Sequence, residues 1–180
     1  MIEVEVKAKI GSFRDMEEKL KEIGASKSKK EFQEDIYFNS PIVDFAKSDE
    51  ALRIRTTVEN DSEKIFITYK GPKIDPESKT RKEIEIAIED SAKCSEIFEN
   101  LGFKKVRTVK KNRQYYTYKN FEISLDDVEG LDNYMEIEIQ LDDGQNYNDA
   151  QEKIFSLFSK LGVEDNFERT SYLELLEKLY

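Results

Sequence analysis

Alternation of aliphatic with charged side chains recurs along this chain and restricts its fold more than any other feature. In residues 2–10, Ile2, Val4, Val6, Ala8 and Ile10 point one way while Glu3, Glu5, Lys7 and Lys9 point the other. This is the two-residue period of a half-buried strand. The pattern returns in residues 51–58, where Leu52, Ile54, Thr56 and Val58 oppose Arg53 and Arg55. In residues 80–88, Ile84, Ile86 and Ile88 oppose Arg81, Glu83 and Glu85. In residues 121–126, Phe121, Ile123 and Leu125 oppose Glu122, Ser124 and Asp126, and in 134–141 Glu136 and Glu138 oppose an aliphatic stripe. Taken singly, each such strand is most simply one solvated face of an antiparallel sheet.

Less regular strands are expected at 34–40, at 63–70 (ending on Lys70 before the turn signal Gly71-Pro72) and along 103–118, where Arg107, Lys111 and Arg113 share a side. The total is about eight strands. Between them lie helical patterns. Ser12 caps one that carries Phe13, Met16, Leu20 and Ile23 and stops at Gly24. Asp90 or Ser91 caps a second, with Cys94, Ile97, Phe98 and Leu101 before Gly102. Residues 148–161 make a third, with Ala150, Ile154, Leu157, Phe158 and Leu161 apolar, and a short Leu-rich helix spans 173–179. Residues 73–80, rich in Lys, Pro and Ser, are expected to form a mobile loop. No Pro/Gly/Ser-rich linker divides the 180 residues, so residues 1–180 are read as one domain.

Eight strands readily close into a barrel. If the helices cover the aliphatic side, the charged faces line the interior of an eight-stranded antiparallel barrel, an α+β fold with its polarity turned inside out. The lumen would hold Glu3, Glu5, Lys7, Arg53, Arg55, Lys70, Arg81, Glu83, Glu85, Lys111, Arg113, Asp126, Glu136 and Glu138, seven basic and seven acidic residues. Lys9, near the strand's end, is left to solvent. Such a lumen is tolerable only if wet, paired or filled by ions. It suits an oligophosphate, because guanidinium and ammonium groups contact phosphate oxygens while carboxylates hold divalent ions such as Mg2+ or Mn2+. There is no Walker-type loop.

Composition narrows the chemistry further. The formal net charge of -10 repels nucleic acid and anionic membranes, so an anionic ligand must be gathered by a local basic cluster. Histidine is absent, which excludes His-based triads and His metal ligands. The lone Cys94 reads as a small packed residue. No long apolar run or leader-like segment is seen, which gives the expectation of a cytoplasmic protein without a membrane partner.

These residues carry a family resemblance. Glu3-x-Glu5-x-Lys7, Leu52-Arg53-Ile54-Arg55, Tyr69-Lys70-Gly71-Pro72, Arg81-x-Glu83-x-Glu85, Lys111-x-Arg113, Leu125-Asp126-x-Val128-Glu129-Gly130-Leu131, Glu136-Ile137-Glu138 and Arg169-x-Ser171-Tyr172 run in order over nearly the whole chain. Together they resemble the CYTH superfamily of class IV adenylyl cyclases and thiamine triphosphatases, also called triphosphate tunnel metalloenzymes. The set is most similar to the class IV cyclase branch, from which it departs at Asp132, where that branch usually has Gly. The resemblance implies triphosphate substrates bound with Mg2+ or Mn2+. It implies phosphate contacts by Lys7, Arg53, Arg55, Lys70, Lys111 and Arg113, joined by Arg81 and Arg169. It implies metal ligation by Glu3, Glu5, Glu136 and Glu138, helped by Asp126 and Glu85. Proton handling falls to Lys7, Glu5 or Glu138. Three functions fit: a cyclase converting ATP to cyclic AMP and pyrophosphate, a triphosphatase acting on tripolyphosphate, thiamine triphosphate or nucleoside triphosphates, and a non-catalytic polyphosphate binder. Either a monomer or a homodimer is compatible.

Overall fold

The expected strands form and close. The structure, a computed structural model, describes residues 2–77, 80–142 and 144–180. In chain order its elements are β1 (Ile2–Lys9), α1 (Phe13–Glu22), β2 (Ser26–Asn39), α2 (Phe45–Ser48), β3 (Ala51–Glu59), β4 (Ser62–Lys70), β5 (Arg81–Ile88), α3 (Ser91–Asn100), β6 (Lys104–Tyr118), β7 (Phe121–Val128), β8 (Asn133–Leu141), α4 (Tyr147–Lys160) and α5 (Tyr172–Leu179). The strands are hydrogen-bonded around a closed antiparallel barrel in the order β1-β5-β4-β3-β2-β6-β7-β8. The β3–β4 hairpin turns on Asn60 and Asp61, both with positive φ (47° and 62°), the backbone that a two-residue hairpin loop requires.

Three features differ from expectation. β2 begins at Ser26, eight residues before the 34–40 strand read from the pattern, because residues 26–31 are polar on both faces and show no alternation, yet pair with the long β6. The short α2, capped by Asp44, carries no periodic signal. The expected mobile loop at 73–80 includes residues 78 and 79, which lie outside the described residues. Its described part is tied down: Lys73 donates from its backbone N–H and its Nζ to Asp49, Ile74 donates to the Thr80 carbonyl (2.9 Å), and Asp75 and Thr80 are buried.

The main core lies outside the barrel wall. Val4, Val6 and Ala8 of β1, with Ile123, Leu125, Met135, Ile137 and Ile139 of β7 and β8, pack against Met16 and Leu20 of α1 and Ile154, Leu157 and Phe158 of α4. On the other side α3 covers Ile54 and Ile65, and Cys94 packs at its edge as expected of a small thiol. The outer face of β5 is not covered: Ile84 and Ile86 are more than half exposed. The β1–β5 seam is short, with Ile2 opposite Lys82 and Glu3 opposite Arg81.

At one end of the barrel the inward residues are apolar. Val109, Val128 and Tyr134 pack there against Tyr172 and Leu176 of α5, whose N-terminus is held by a Ser171–Glu174 capping box. Gly130 (φ 84°) makes this approach possible, since a Cβ there would lie 3.2 Å from the Leu176 side chain. The segment before α5 is stitched to β1 by Lys9 N–H to Asn166 O (3.0 Å) and Glu168 N–H to Lys7 O (2.8 Å). Among the described residues no helix is long and apolar enough to cross a membrane.

Phe158 is fully buried and meets Phe167 edge-on at 5.3 Å. Phe158→Ala is therefore expected to destabilise the fold by about 3–5 kcal/mol, the range for emptying a packed aromatic site. Urea unfolding followed by circular dichroism checks this, and a loss under about 1 kcal/mol would show that the outer core does not carry the barrel.

Candidate functional site

Because side chains alternate across each strand, one face of every strand enters the barrel, and the inward faces enclose a cavity of about 930 Å³. All the expected lumen residues border it except Lys7 and Asp126, which lie deeper. The charges are sorted. Carboxylates concentrate on β1, β5 and β8, and guanidiniums face them from β3 and β6.

On the acidic side, strand register sets Glu5 of β1 directly opposite Glu138 of β8. One carboxylate oxygen each from Glu3, Glu5 and Glu138 lies within 4.8 Å of the others. Burial, partly countered by Lys70 and reinforced by Glu138, Glu83 and Glu5, raises the Glu3 pKa well above the carboxylate range. Burial, with repulsion from Glu5 and Glu122, pushes Glu138 up to about 7. Converging hard-oxygen donors that repel one another in a polar cavity fit Mg2+ or Mn2+, whose charge would favour their ionised forms. The other carboxylates expected as metal ligands have different surroundings. Glu85 accepts from Thr68 Oγ1 (2.8 Å), Glu136 accepts from Arg113 Nη2 (2.5 Å), and Asp126 accepts from Arg113 and from the Tyr172 hydroxyl (2.6 Å).

On the basic side, Arg53 and Arg55 enter from β3, and Lys111 and Arg113 from β6. Arg113 is gripped along one edge by Asp126, with Nε and Nη2 each at 2.6 Å. The Arg53 Nε is buried with no protein acceptor. Burial, together with repulsion from Arg113 and only partly offset by Asp126, lowers the Lys111 ammonium to about 7. Three guanidiniums, with a lysine whose charge a bound anion would favour, meet in one wall and suit an oligophosphate.

The remaining expected residues are placed as follows. Lys7 is buried beneath the C-terminal segment, donating to the Thr170 carbonyl (2.5 Å) with its Nζ 4.1 Å from the Tyr172 ring centre. Lys70 pairs with Glu83. Arg81 borders the cavity but turns to the rim, donating to the Gly71 carbonyl (3.2 Å). Arg169 donates to the Asp75 carbonyl (2.7 Å) and does not border the cavity. Lys9 stays half exposed, as expected, and pairs with Asp132 at 2.7 Å, so the residue that departs from the cyclase-branch pattern has a partner here.

Sequence reasoning missed the inward face of β2. Asp35 is fully buried and takes Arg55 in a two-pronged bond, while Glu31 and Gln33 bond one another and Tyr115. The signal existed: Glu31, Gln33 and Asp35 alternate with Phe32 and Ile36. It was obscured by Glu34 at an outward position and by the lysines that precede it.

Comparison with known proteins agrees with this geometry. The sequence model of the CYTH domain matches residues 1–172. A Methanocaldococcus jannaschii protein that carries the provisional name of adenylate cyclase is 47% identical over 176 residues, 97% of this chain and 98% of that one. The adenylate cyclase CyaB of Aeromonas hydrophila is 29% identical over 147 residues, 81% of this chain and 73% of that one. The solved structure of the PH1819 protein of Pyrococcus horikoshii OT3 superposes with a TM-score of 0.93 at 44% identity, covering 99% of both chains.

The raised Glu138 has a consequence for stability. A glutamate in the unfolded chain titrates near 4.3, whereas this one holds its proton to about 7 in the fold. Between those values the folded state binds more protons than the unfolded, so its contribution to stability falls as pH rises. With chelator present, the melting temperature is expected to drop more steeply from pH 5 to 7.5 in the wild type than in Glu138→Gln. Parallel curves in differential scanning calorimetry would refute the assignment.

Proposed function

Because the chain belongs to the CYTH domain family, we propose that it is a divalent-metal-dependent enzyme acting on a triphosphate inside its barrel, with the chemistry of an adenylate cyclase. The observation that carries this reading is the opposition of two walls in one cavity: the carboxylate trio Glu3, Glu5 and Glu138 against Arg53, Arg55, Lys111 and Arg113. The adenylate cyclase names of two relatives favour the cyclase over the hydrolase.

In this reading Glu3, Glu5 and Glu138 hold Mg2+ or Mn2+. The ion, when bound, neutralises phosphate charge and favours departure of pyrophosphate. The guanidiniums and Lys111 bind the non-bridging phosphate oxygens and hold the chain of phosphates along the barrel, which is how positioning and electrostatics accelerate phosphoryl chemistry. Lys70, beside Glu83, extends the cationic surface toward the carboxylate wall. Asp126 and Glu136 serve by orienting Arg113. The reaction forms a bond between the ribose 3'-oxygen and the α-phosphorus and breaks the bridge to the β-phosphorus. The hydroxyl proton leaves to a nearby base, for which Glu5 and Glu138 are the candidates that border the cavity, with Lys7 behind the wall.

Incubation with ATP and Mg2+ or Mn2+, with products separated by chromatography and 31P NMR, is expected to give cyclic AMP and pyrophosphate and to stop on chelation. Orthophosphate with ADP, or hydrolysis of tripolyphosphate or thiamine triphosphate, would move the assignment to a triphosphatase using the same walls. Failure to turn over any of these, with phosphate-ligand affinity unchanged by chelation, would sink the enzyme reading. Arg113→Ala and Glu138→Gln are each expected to lower kcat/KM by about 10²-fold or more, the usual cost of removing one electrostatic contact to the transition state.

A further inference from the structure

We infer that Asp35 is a positioning residue of the phosphate site, a buried carboxylate that touches no substrate and acts by fixing the direction of Arg55. The inference rests on the triphosphate reading above. Asp35 lies on β2 directly opposite Arg55 of β3. Its two oxygens accept from Arg55 Nε (2.6 Å) and Nη2 (2.7 Å), and Arg53 Nη1 stands 3.6 Å from the second oxygen. Asp35 is 2% exposed and does not border the cavity, whereas both arginines do.

The geometry defines what the carboxylate does. A guanidinium has five N–H donors. The Asp35 fork takes two of them from Arg55 along one edge, which leaves three for a ligand and removes rotation about the long side chain. The Arg53 Nε, buried with no protein acceptor, marks the same wall as built for an additional acceptor. Arginine loses rotamer freedom when it grips a phosphate, and a fork already ordered by a neighbour loses less. Asp35 also separates like charges. Arg53, Arg55 and Lys111 converge around it, and burial, which alone would raise its pKa, is outweighed by Arg55 and then Arg53, so it stays ionised.

A purely structural ion pair is the competing explanation, and it accounts for less. A buried pair is often no more stabilising than apolar residues of equal volume, and the main packing of this barrel lies on its outer face. A structural pair also has no need of partners that both face the cavity. On the far side of the wall Asp126 grips Arg113 by the same two nitrogens, so each of the two forks has its own carboxylate, one on β2 and one on β7. Asp35 resembles the metal trio in charge only, since Arg55 occupies both its oxygens.

Steady-state kinetics with the triphosphate that the wild type turns over tests this. Asp35→Asn is expected to lower kcat by about 10²-fold, the order of loss for a misdirected contact. KM should stay within about threefold, because the positive wall is kept. Calorimetric binding of metal-free tripolyphosphate should be as tight as in the wild type or tighter. In an Arg55→Lys background, Asp35→Asn should cost kcat little more, since it acts through that arginine. Unchanged kcat, costs that multiply in the double variant, or a rise in KM that tracks a fall in melting temperature would each overturn the inference and return Asp35 to a structural role. Should Asp35→Asn fail to fold, Asp35→Glu, which keeps the charge and shifts the fork by one methylene, is read in the same way. A wild type that neither binds nor turns over any triphosphate defeats the functional reading and this inference with it. Normal wild-type turnover with an unaffected Asp35→Asn defeats this inference alone.

Discussion

Charge must be kept inside a closed sheet, and the rest of the structure depends on how that is done. Alternation places half of each strand in the barrel, and in this chain that half is largely ionic. Removing one partner from a buried ion pair costs about 3–5 kcal/mol, so each inward charge needs a neighbour on an adjacent strand. Antiparallel register supplies it: Asp35 opposite Arg55, Arg113 opposite Asp126, and Lys70 opposite Glu83. Each is a directly facing pair, the arrangement in which opposite charges on neighbouring strands contribute most.

Opposite charges face one another on one side of the barrel, and like charges meet on the other. Where β1 meets β8, register places Glu5 against Glu138, and Glu138 in turn faces Glu122 of β7. The cost appears as raised carboxyl pKa values at Glu3 and Glu138. The cations of β3 and β6 have carboxylates that orient them but keep donors turned to the cavity. One wall therefore crowds carboxyl groups that repel one another, and the other can accept an anion. A metal-bound oligophosphate supplies both at once, so the functional reading follows from an electrostatic imbalance that the fold itself creates.

Much of this was legible in the amino-acid sequence. The alternating strands, their closure and most of the strand-borne charges that border the cavity followed from a two-residue period together with helices that needed an aliphatic surface to cover. The failures share a cause. In β2 the outward Glu34 and the run of lysines erase the contrast between faces, so Asp35 could not be distinguished from a solvated residue. Periodicity assigns a face but not a depth or a partner. Arg81 has the right face, yet it sits at a strand start and turns to the backbone of Gly71. Lys7 also has the right face, but the C-terminal segment, far away in sequence, covers it. α5 belongs to no strand pattern, and nothing local tells that its Tyr172 hydroxyl reaches Asp126.

Rigidity is distributed to match. The strands that carry the carboxylate trio, β1 and β8, have outward side chains locked into the main core, with Val4, Met135 and Ile137 fully buried under α1 and α4. Three carboxyl groups whose ionised forms repel can be held within 4.8 Å only where the backbone cannot spread to relieve them. β5 is built differently. Ile84 and Ile86 on its outer face are exposed, and among the described residues its seam with β1 has two residue pairs, so it has fewer of the buried contacts that resist local opening. The inward residues of β5, Glu83 and Glu85, are paired with Lys70 and bonded by Thr68, so that wall carries less repulsion than the carboxylate trio does. The barrel is thus stiffest where its charges repel and lightest where they are paired.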